Sequence, residues 1–174
     1  MSRLDSVIRR LEAQRACLGH AADIIDGRAG LAPVGGVVLE LGLGNGRTYD
    51  HLRQILPDRA IYVFDRQLAA HPDCRPDAGH LFLGEMAETL PQAAAKLSAR
   101  AALVHLDIGS GDVSETKQNI SGVEPSLLAL LAEGGVVVSD QPLPGLAAAD
   151  RIAALALPPD VPGGRYFLYR RPEI

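Results

Sequence analysis

The chain has 174 residues, 47% of them hydrophobic, and a formal net charge of −4. This length and balance predict one globular domain with a sizeable core. The negative charge argues against a nucleic-acid partner, because nucleic-acid-binding domains carry a basic surface. No run approaches the ~20 apolar residues of a membrane span. The first residues lack the apolar core of a signal peptide, so we expect a cytoplasmic protein without membrane contact.

Residues 3–26 form the first predicted element, an amphipathic helix. Apolar residues recur there at spacings of three and four, while Gln14 and several charged residues fall on the other face. The helix is expected to cover the sheet or close a pocket, and it is also a candidate interface for a homo-oligomer. We assign residues 1–30 to this helix and treat it as part of the same domain as residues 31–174.

A glycine-rich turn follows the next apolar run. Residues 37–41 read as a buried strand that contains Glu40, and Gly42, Gly44 and Gly46 then lead into a helix over 48–56. Glycines permit positive φ and let a ligand lie against the backbone. The helix N-terminus offers free N–H groups and a partial positive charge. The turn therefore suits a ligand that carries both signs of charge.

Four further strands are predicted, and each carries an acid at or just beyond its carboxyl end. The runs 60–64, 81–83, 101–106 and 136–139 are followed by Asp65, Glu85, Asp107 and Asp140. Ligands of open parallel sheets bind at that edge.

The remaining elements complete an alternating pattern of strands and helices. Helices are expected over 86–99, over a segment that starts at Ser121 or Pro125 and ends at Ala132, and over 146–156, with a last strand at 165–170. Residues 112–117 are interpreted as a mobile flap. The alternation predicts a three-layer α/β/α Rossmann-like fold with a mostly parallel sheet and right-handed crossovers.

A nicotinamide or flavin dinucleotide is the first alternative ligand. Its fingerprint is G-x-G-x-x-G, but Arg47 occupies the third glycine position, and Gly46 comes one residue early. Glu40 would also face a pyrophosphate, and a like-charge pair at ~4 Å costs about 4 kcal/mol at an effective dielectric near 20.

The E-x-G-x-G-x-G pattern that begins at Glu40 instead resembles the first motif of class I S-adenosylmethionine (SAM)-dependent methyltransferases. The resemblance covers residues 37–140 and implies SAM as cofactor and S-adenosylhomocysteine (SAH) as product. It implies that the acid and the loop hold the methionine end, that Asp65 binds the ribose, and that 84–86 line the adenine pocket. The family's last strand is antiparallel. Because the chain is short after Asp140, we expect six strands in place of the family's seven.

The predicted cofactor-binding residues are Glu40, Gly42, Leu43, Gly44, Asn45, Gly46, Arg47, Asp65, Arg66, Gly84, Glu85, Met86 and Asp107. The catalytic candidates are Asp107 and Asp140. The acceptor is expected to be a small molecule, and its identity stays open. A SAM-binding protein without catalysis and an NAD(P)-dependent oxidoreductase are the alternatives.

A second resemblance concerns a metal ion. Asp107, Asp140 and Gln141 are similar in placement to the Mg²⁺ ligands of catechol-type O-methyltransferases, an acid after the fourth strand and an Asp-Asn pair after the fifth. Gln141 stands in place of the asparagine, and the lysine base expected after the first acid is missing. We therefore favour a site without metal. The histidines have no zinc-site spacing, and His105 is expected to be a packed core histidine.

Overall fold

A computed structural model of the chain describes residues 2–97, 100–109 and 111–173. The helices are α1 (Arg3–Ile25), α2 (Arg47–Ile55), α3 (Met86–Lys96), α4 (Val113–Leu130) and α5 (Pro144–Ala148). The strands are β1 (Val37–Leu41), β2 (Ile61–Asp65), β3 (Leu81–Leu83), β4 (Ala101–Leu106), β5 (Leu131–Ser139), β6 (Ala153–Ala154) and β7 (Phe167–Arg170). Two short 3₁₀ helices, Pro72–Cys74 and Ala78–His80, lie between β2 and β3.

The strands form one sheet in the order β3-β2-β1-β4-β5-β7-β6. The first five strands are mutually parallel, and β7 pairs antiparallel with both β5 and β6. The parallel strands are apolar because helices cover both faces of the sheet. Their carboxyl ends therefore meet along one edge, as the sequence predicts.

Two apolar clusters, one on each face, make the three layers. One joins α1 and α2 to the sheet and includes Leu18 and Leu52; the other joins α3 and α4 to it and includes Leu90 and Leu127. The predicted α/β/α arrangement and the antiparallel last strand are confirmed.

The number of strands differs from the prediction by one, since the sheet has seven strands and not six. The extra strand, β6, holds only two residues and pairs with Tyr169 and Arg170 of β7. A strand is recognised in a sequence by alternating apolar and polar residues, and two residues are too few to show this alternation. The alanines before β6 also favour a helix. The helix predicted over 146–156 is in fact the short α5, followed by a turn in which Asp150 has φ 51°.

Helix α4 begins earlier than predicted, and this removes the interpretation of 112–117 as a flap. Asp112 is the N-cap, and its carboxylate accepts from the backbone N–H of Glu115 at 2.8 Å. Pro125, read from the sequence as a helix start, lies inside α4. A proline ring inside a helix removes one backbone hydrogen bond, so the sequence-based start was placed too late. Residues 98 and 99, part of the helix predicted over 86–99, lie outside the described residues.

The first two turns of α1 are largely exposed. Ser2 and Asp5 form a capping box at its start. Leu4 is 68% exposed, and Val7 and Ile8 are nearly half exposed. Of the apolar residues predicted to face the core, Leu18, Ala22 and Ile25 are buried, and so is Gln14, which was placed on the other face. Within the described residues, no helix combines the length and apolar character of a membrane span.

Candidate functional site

A cavity of about 840 Å³ opens at the carboxyl edge of the sheet. Its wall is built by the loop after β1, the ends of β2 and β4, the start of α3, and one side each of α1 and α4. This volume lies within the usual range for small-molecule sites. The structure thus brings most of the predicted site residues to one place.

The glycine loop forms one wall, and its three glycines have different tasks. All three have positive φ. A Cβ on Gly42 would lie 2.3 Å from the carbonyl oxygen of Asp107, and one on Gly46 would lie 2.6 Å from Cβ of Cys74. Those two glycines allow close packing of the protein against itself. A Cβ on Gly44 would meet no atom within 4 Å. Gly44 is therefore the glycine whose backbone is open to a ligand.

Helix α2 begins at the end of this loop with unsatisfied donors. Gly46 is its N-cap and provides no side-chain hydrogen bond, so backbone N–H groups of the first turn are available beside the cavity. Asn45 reaches one of them, since its side-chain oxygen accepts from the N–H of Arg47 at 3.3 Å. Asn45, Arg47 and Thr48 all line the cavity.

Asp65 ends β2 and lines the cavity next to this loop. One of its oxygens accepts from the backbone N–H groups of Leu43 and Gly44, at 2.8 and 3.0 Å. The other accepts from the N–H of Gln67 at 3.2 Å. The carboxylate is thereby fixed at the rim and retains lone pairs for a further donor.

Glu40, the predicted first-motif acid, lies beneath the loop and is fully buried. The cavity wall does not include it. Its carboxylate accepts from the hydroxyl of Thr48 on α2 and bonds Nδ1 of His105 at 2.7 Å. The geometry therefore gives Glu40 a supporting contact to a cavity residue, Thr48, and its direct binding of the cofactor stays a prediction.

His105 is a core histidine, as predicted, but it is paired with an acid. Burial alone lowers its pKa, and the negative charges of Glu40, Asp107 and Asp140, with the hydrogen bond to Glu40, raise it above its usual value. The Nδ1 proton is therefore placed between the ring and Glu40. This pair explains how an ionisable glutamate is kept in the centre of the sheet.

Asp107 follows β4 and lines the cavity on the side of α1. The amide nitrogen of Gln14 donates to its Oδ2 at 2.9 Å, and Nη1 of Arg10 lies 3.7 Å from the same oxygen. Arg10 and Gln14 both line the cavity. The carboxylate thus has one buried neutral donor and one half-exposed cation as neighbours.

The residues expected at the adenine end are only partly brought to the wall. Glu85 and Met86, at the start of α3, line the cavity, as does Arg66 after β2. Gly84 comes directly before them at φ 139° but is not part of the wall. Nη1 of Arg66 lies 3.6 Å from Oε1 of Glu115 of α4 in an exposed ion pair.

Asp140 and Gln141 lie behind the cavity. A Cβ on Gly109, which lines the cavity, would lie 2.7 Å from Oδ2 of Asp140. That oxygen accepts from the Gln141 side chain at 3.1 Å. The other oxygen is buried and has no hydrogen-bond partner among the described residues. Burial raises the pKa of Asp140, and the nearby charge of Asp107 adds to the rise.

The predicted metal ligands are not arranged as an open set. Gln141 directs its amide nitrogen to Asp140, and Asp107 is engaged by Gln14. Among the residues that the structure describes, no three side chains of the types His, Cys, Asp and Glu form a group that could hold a metal ion. A magnesium site at Asp107, Asp140 and Gln141 remains a sequence-based prediction.

Sequence reasoning expected α1 to cover the sheet or close a pocket, but it missed the part of Gln14 and the contribution of α4. Gln14 was placed on the polar face of α1, yet it is 4% exposed. A signal was present, because Gln14 lies three residues after Leu11 and four before Leu18, on the same helical face. From α4, Glu115, Gln118 and Asn119 also line the cavity. Glu115 was read as part of the flap over 112–117, and Gln118 and Asn119 lay before the predicted start of the helix.

Comparison with known proteins adds to this geometry. A sequence profile described as S-adenosyl-L-methionine methyltransferase matches residues 1–171. A crystal structure of an S-adenosyl-L-methionine methyl transferase from Silicibacter pomeroyi DSS-3 is 43% identical to this chain. The match covers 98% of this chain and 99% of the other, with a TM-score of 0.84. A search of curated proteins found no similar sequence.

More distant structures share the fold. The MycE methyltransferase of the mycinamycin biosynthetic pathway, in complex with Mg and SAH, is 14% identical with a TM-score of 0.56; the match covers 88% of this chain and 48% of that one. NSun6 from Pyrococcus horikoshii with SFG is 12% identical with a TM-score of 0.59, over 91% and 52% of the two chains. At these identities the likeness shows the fold alone.

Proposed function

The chain belongs to the S-adenosyl-L-methionine methyltransferase family, and we propose that it methylates a small molecule bound in the same cavity as its cofactor, on the side of α1. The cofactor is SAM. The observation that carries the proposal is the open backbone of Gly44 in the wall of an 840 Å³ cavity, directly before the free N-terminus of α2.

The cavity wall offers a complementary group for each part of the cofactor. Backbone N–H groups at the start of α2 suit the methionine carboxylate. Asp65, fixed at the rim by the N–H groups of Leu43 and Gly44, suits the ribose hydroxyls. Glu85 and Met86 at the start of α3 suit the adenine. Glu40 supports this wall from below through Thr48.

The protein's part in methyl transfer is to position the acceptor. When bound, SAM supplies a methyl group that is already activated on a sulfonium. Holding the acceptor in line with it can lower the barrier by ~7–11 kcal/mol. Asp107 is placed to orient an O–H or N–H of the acceptor and to take its proton, because its carboxylate faces the cavity. Asp140 lies behind Gly109, so we assign it no contact with the acceptor.

A small acceptor fits the charge and size of the site better than a nucleic acid. The chain carries a formal net charge of −4, and acids from four elements line the cavity: Asp65, Glu85, Asp107 and Glu115. Arg10, half exposed beside Asp107, is the cation nearest the proposed acceptor side. A polyanionic backbone would meet repulsion at this edge.

Two measurements test the proposal. Isothermal titration calorimetry with SAH should give micromolar affinity, while NADPH should give no heat of binding. Incubation with labelled SAM and a metabolite extract should then transfer the label to a compound of low molecular mass. SAH binding without any transfer would favour a non-catalytic SAM-binding protein, and NADPH binding without SAH binding would favour the oxidoreductase.

We also propose that α1 folds as part of the same domain, with residues 1–30 and 31–174 forming one unit. Its buried face joins the apolar cluster on one side of the sheet, and Gln14 contacts His105 of β4. A single thermal transition that is the same by circular dichroism and calorimetry would support this. Oligomerisation through α1 remains a prediction, for which the exposed Leu4, Val7 and Ile8 supply apolar surface.

A further inference from the structure

A chain of hydrogen bonds runs beneath the cavity from α1 to α2. Gln14 contacts both His105 and Asp107, His105 bonds Glu40, and Thr48 donates to Glu40. Three of these residues, Gln14, Asp107 and Thr48, line the cavity, whereas Glu40 and His105 are fully buried below it. Two opposite walls of the cavity are thereby linked through the sheet.

Gln14 is the polar exception on the buried face of α1. The other residues that this helix buries are apolar, and they include Cys17 and Leu18 on the next turn. A buried amide without partners destabilises a fold, so its bonds must offset that cost. Its amide nitrogen lies 2.9 Å from Oδ2 of Asp107 and 3.4 Å from Nε2 of His105. Because an amide nitrogen carries two hydrogens, it can donate to Asp107 and, when the imidazole is neutral with its proton on Nδ1 facing Glu40, to Nε2 as well.

The strand geometry explains why one amide reaches both partners. His105 and Asp107 are two residues apart, so they lie on the same face at the end of β4. Glu40 is the register partner of His105 in the β1–β4 pairing. The side chain of Gln14 therefore contacts Asp107 directly and is linked to Glu40 through the imidazole of His105.

We propose that Gln14 is a positioning residue for the cofactor site, so that docking of α1 on β4 and binding of the cofactor are coupled. The inference rests on the proposed function for the site. Gln14 sets the direction of the Asp107 carboxylate at the cavity wall. Through His105 and Glu40 it also steadies Thr48 in the first turn of α2.

The first test compares two variants of the buried face of α1. Gln14→Met keeps the length of the side chain and removes both donors. Cys17→Ala is the matched control: it disturbs the same interface, touches neither acid, and changes no charge, because burial raises the pKa of the thiol to about 11. Titration calorimetry should show SAH binding about tenfold weaker for Gln14→Met and within twofold of wild type for Cys17→Ala. Wild-type affinity in a folded Gln14→Met protein would overturn the proposal.

A second pair of variants tests the route through His105. His105→Asn keeps an N–H near the position of Nδ1 for Glu40 but is too short to reach Gln14. If the coupling passes through the ring, Gln14→Met should weaken SAH binding less in the His105→Asn background than alone, about threefold instead of tenfold. Equal effects in the two backgrounds would exclude this route.

Hydrogen exchange on the wild-type protein keeps the test valid if a variant fails to fold. Coupling is reciprocal, so saturating SAH should slow amide exchange in α1 around Gln14 about tenfold. If SAH binds and the exchange of α1 is unchanged, the proposal is wrong. If wild-type protein does not bind SAH at all, it is the proposed function that fails.

Discussion

On the β1–β4 side of the sheet, the buried carboxylate of Glu40 is bonded by Thr48 and His105, whereas on the β5 side one oxygen of Asp140 has no partner within the described residues. The hydroxyl of Tyr166, 1% exposed, is likewise unpartnered there. The two regions lie at the same edge of the same sheet. They differ in how completely their buried polar groups are satisfied.

The buried polar groups on the β1–β4 side are therefore expected to stabilise the fold, whereas those on the β5 side are expected to destabilise it. A satisfied buried pair is expensive to break, because either partner alone is left charged or desolvated. An unpartnered buried group already reduces stability, so removing it should raise stability. Substitutions in the two regions are therefore expected to have opposite signs.

The largest effect is expected for Glu40→Gln. The amide cannot accept from both Thr48 and His105, so a buried donor loses its partner. We expect a loss of about 3–5 kcal/mol in the free energy of unfolding, measured by urea denaturation. Glu124→Gln is the control, since one oxygen of this buried acid accepts from two backbone N–H groups and an amide oxygen can replace it. Equal losses of stability in the two variants would show that the bonds of Glu40 to Thr48 and His105 are no more important than those of Glu124.

Gly44→Val should come next, and its effect is on binding. The new side chain would project into the cavity, where a Cβ meets no protein atom within 4 Å. We expect SAH affinity to fall at least 100-fold, about 2.7 kcal/mol. Gly30→Val controls for strain, because Gly30 has φ +78° and equally open surroundings and is not part of the cavity wall. Comparable SAH affinity of the two variants would argue against a cofactor at Gly44.

Asp140→Asn should stabilise the protein by about 1 kcal/mol at neutral pH, because it removes a buried charge, although the amide still leaves a polar atom at the unpartnered position. Because the pKa of Asp140 is raised in the folded state, the folded protein holds a proton over an interval in which the unfolded chain has lost it. Stability from this group therefore falls as pH rises from the ordinary value near 3.9 through the raised pKa. In Asp140→Asn, this part of the decrease in the free energy of unfolding with rising pH should be absent. Thermal melts of both proteins across this interval measure it, and a less stable variant would mean that Asp140 has an undetected partner.

The smallest effect is expected for Tyr166→Phe. Its hydroxyl has no hydrogen-bond partner among the described residues, and burial raises the pKa of the phenol, so it remains uncharged. Loss of the hydroxyl should change the free energy of unfolding by about 0.5 kcal/mol or less, in the stabilising direction. Urea denaturation measures the change. A decrease of about 2 kcal/mol in the free energy of unfolding would mean that the Tyr166 hydroxyl is hydrogen-bonded. The proposed difference between the two regions would then be wrong.

The parallel core of the fold was readable from the sequence, because each of its strands is a mostly apolar run with an acid within it, at its carboxyl end or just beyond. The glycine loop was readable for a similar reason, since its spacing and flanks are local features. Glu40 shows the limit of this reasoning. Its position in the motif was clear, but its burial depends on two partners outside the motif. His105 is distant in the sequence, and Thr48 lies on the next helix.

The local pattern places Gln14 on the helical face of Leu11 and Leu18, but it could not show which groups its amide contacts. Gln14 interrupts an apolar face, and only the tertiary contact to β4 decides whether such a residue is solvated or bonded. The start of α4 was missed because Gly, Ser and Asp favour loops, although Asp112 in fact caps the helix. β6 was missed because two residues are too few to show a period.

The ends of the sheet limit how copies of this protein can associate. The edge strands β3 and β6 have three and two residues, so each presents only a short row of backbone donors and acceptors. Short edges are poor templates for pairing with another chain. Edge-to-edge pairing of sheets from different molecules, which leads to fibrous aggregates, is therefore disfavoured. The exposed apolar residues Leu4, Val7 and Ile8 of α1 do not depend on these edges.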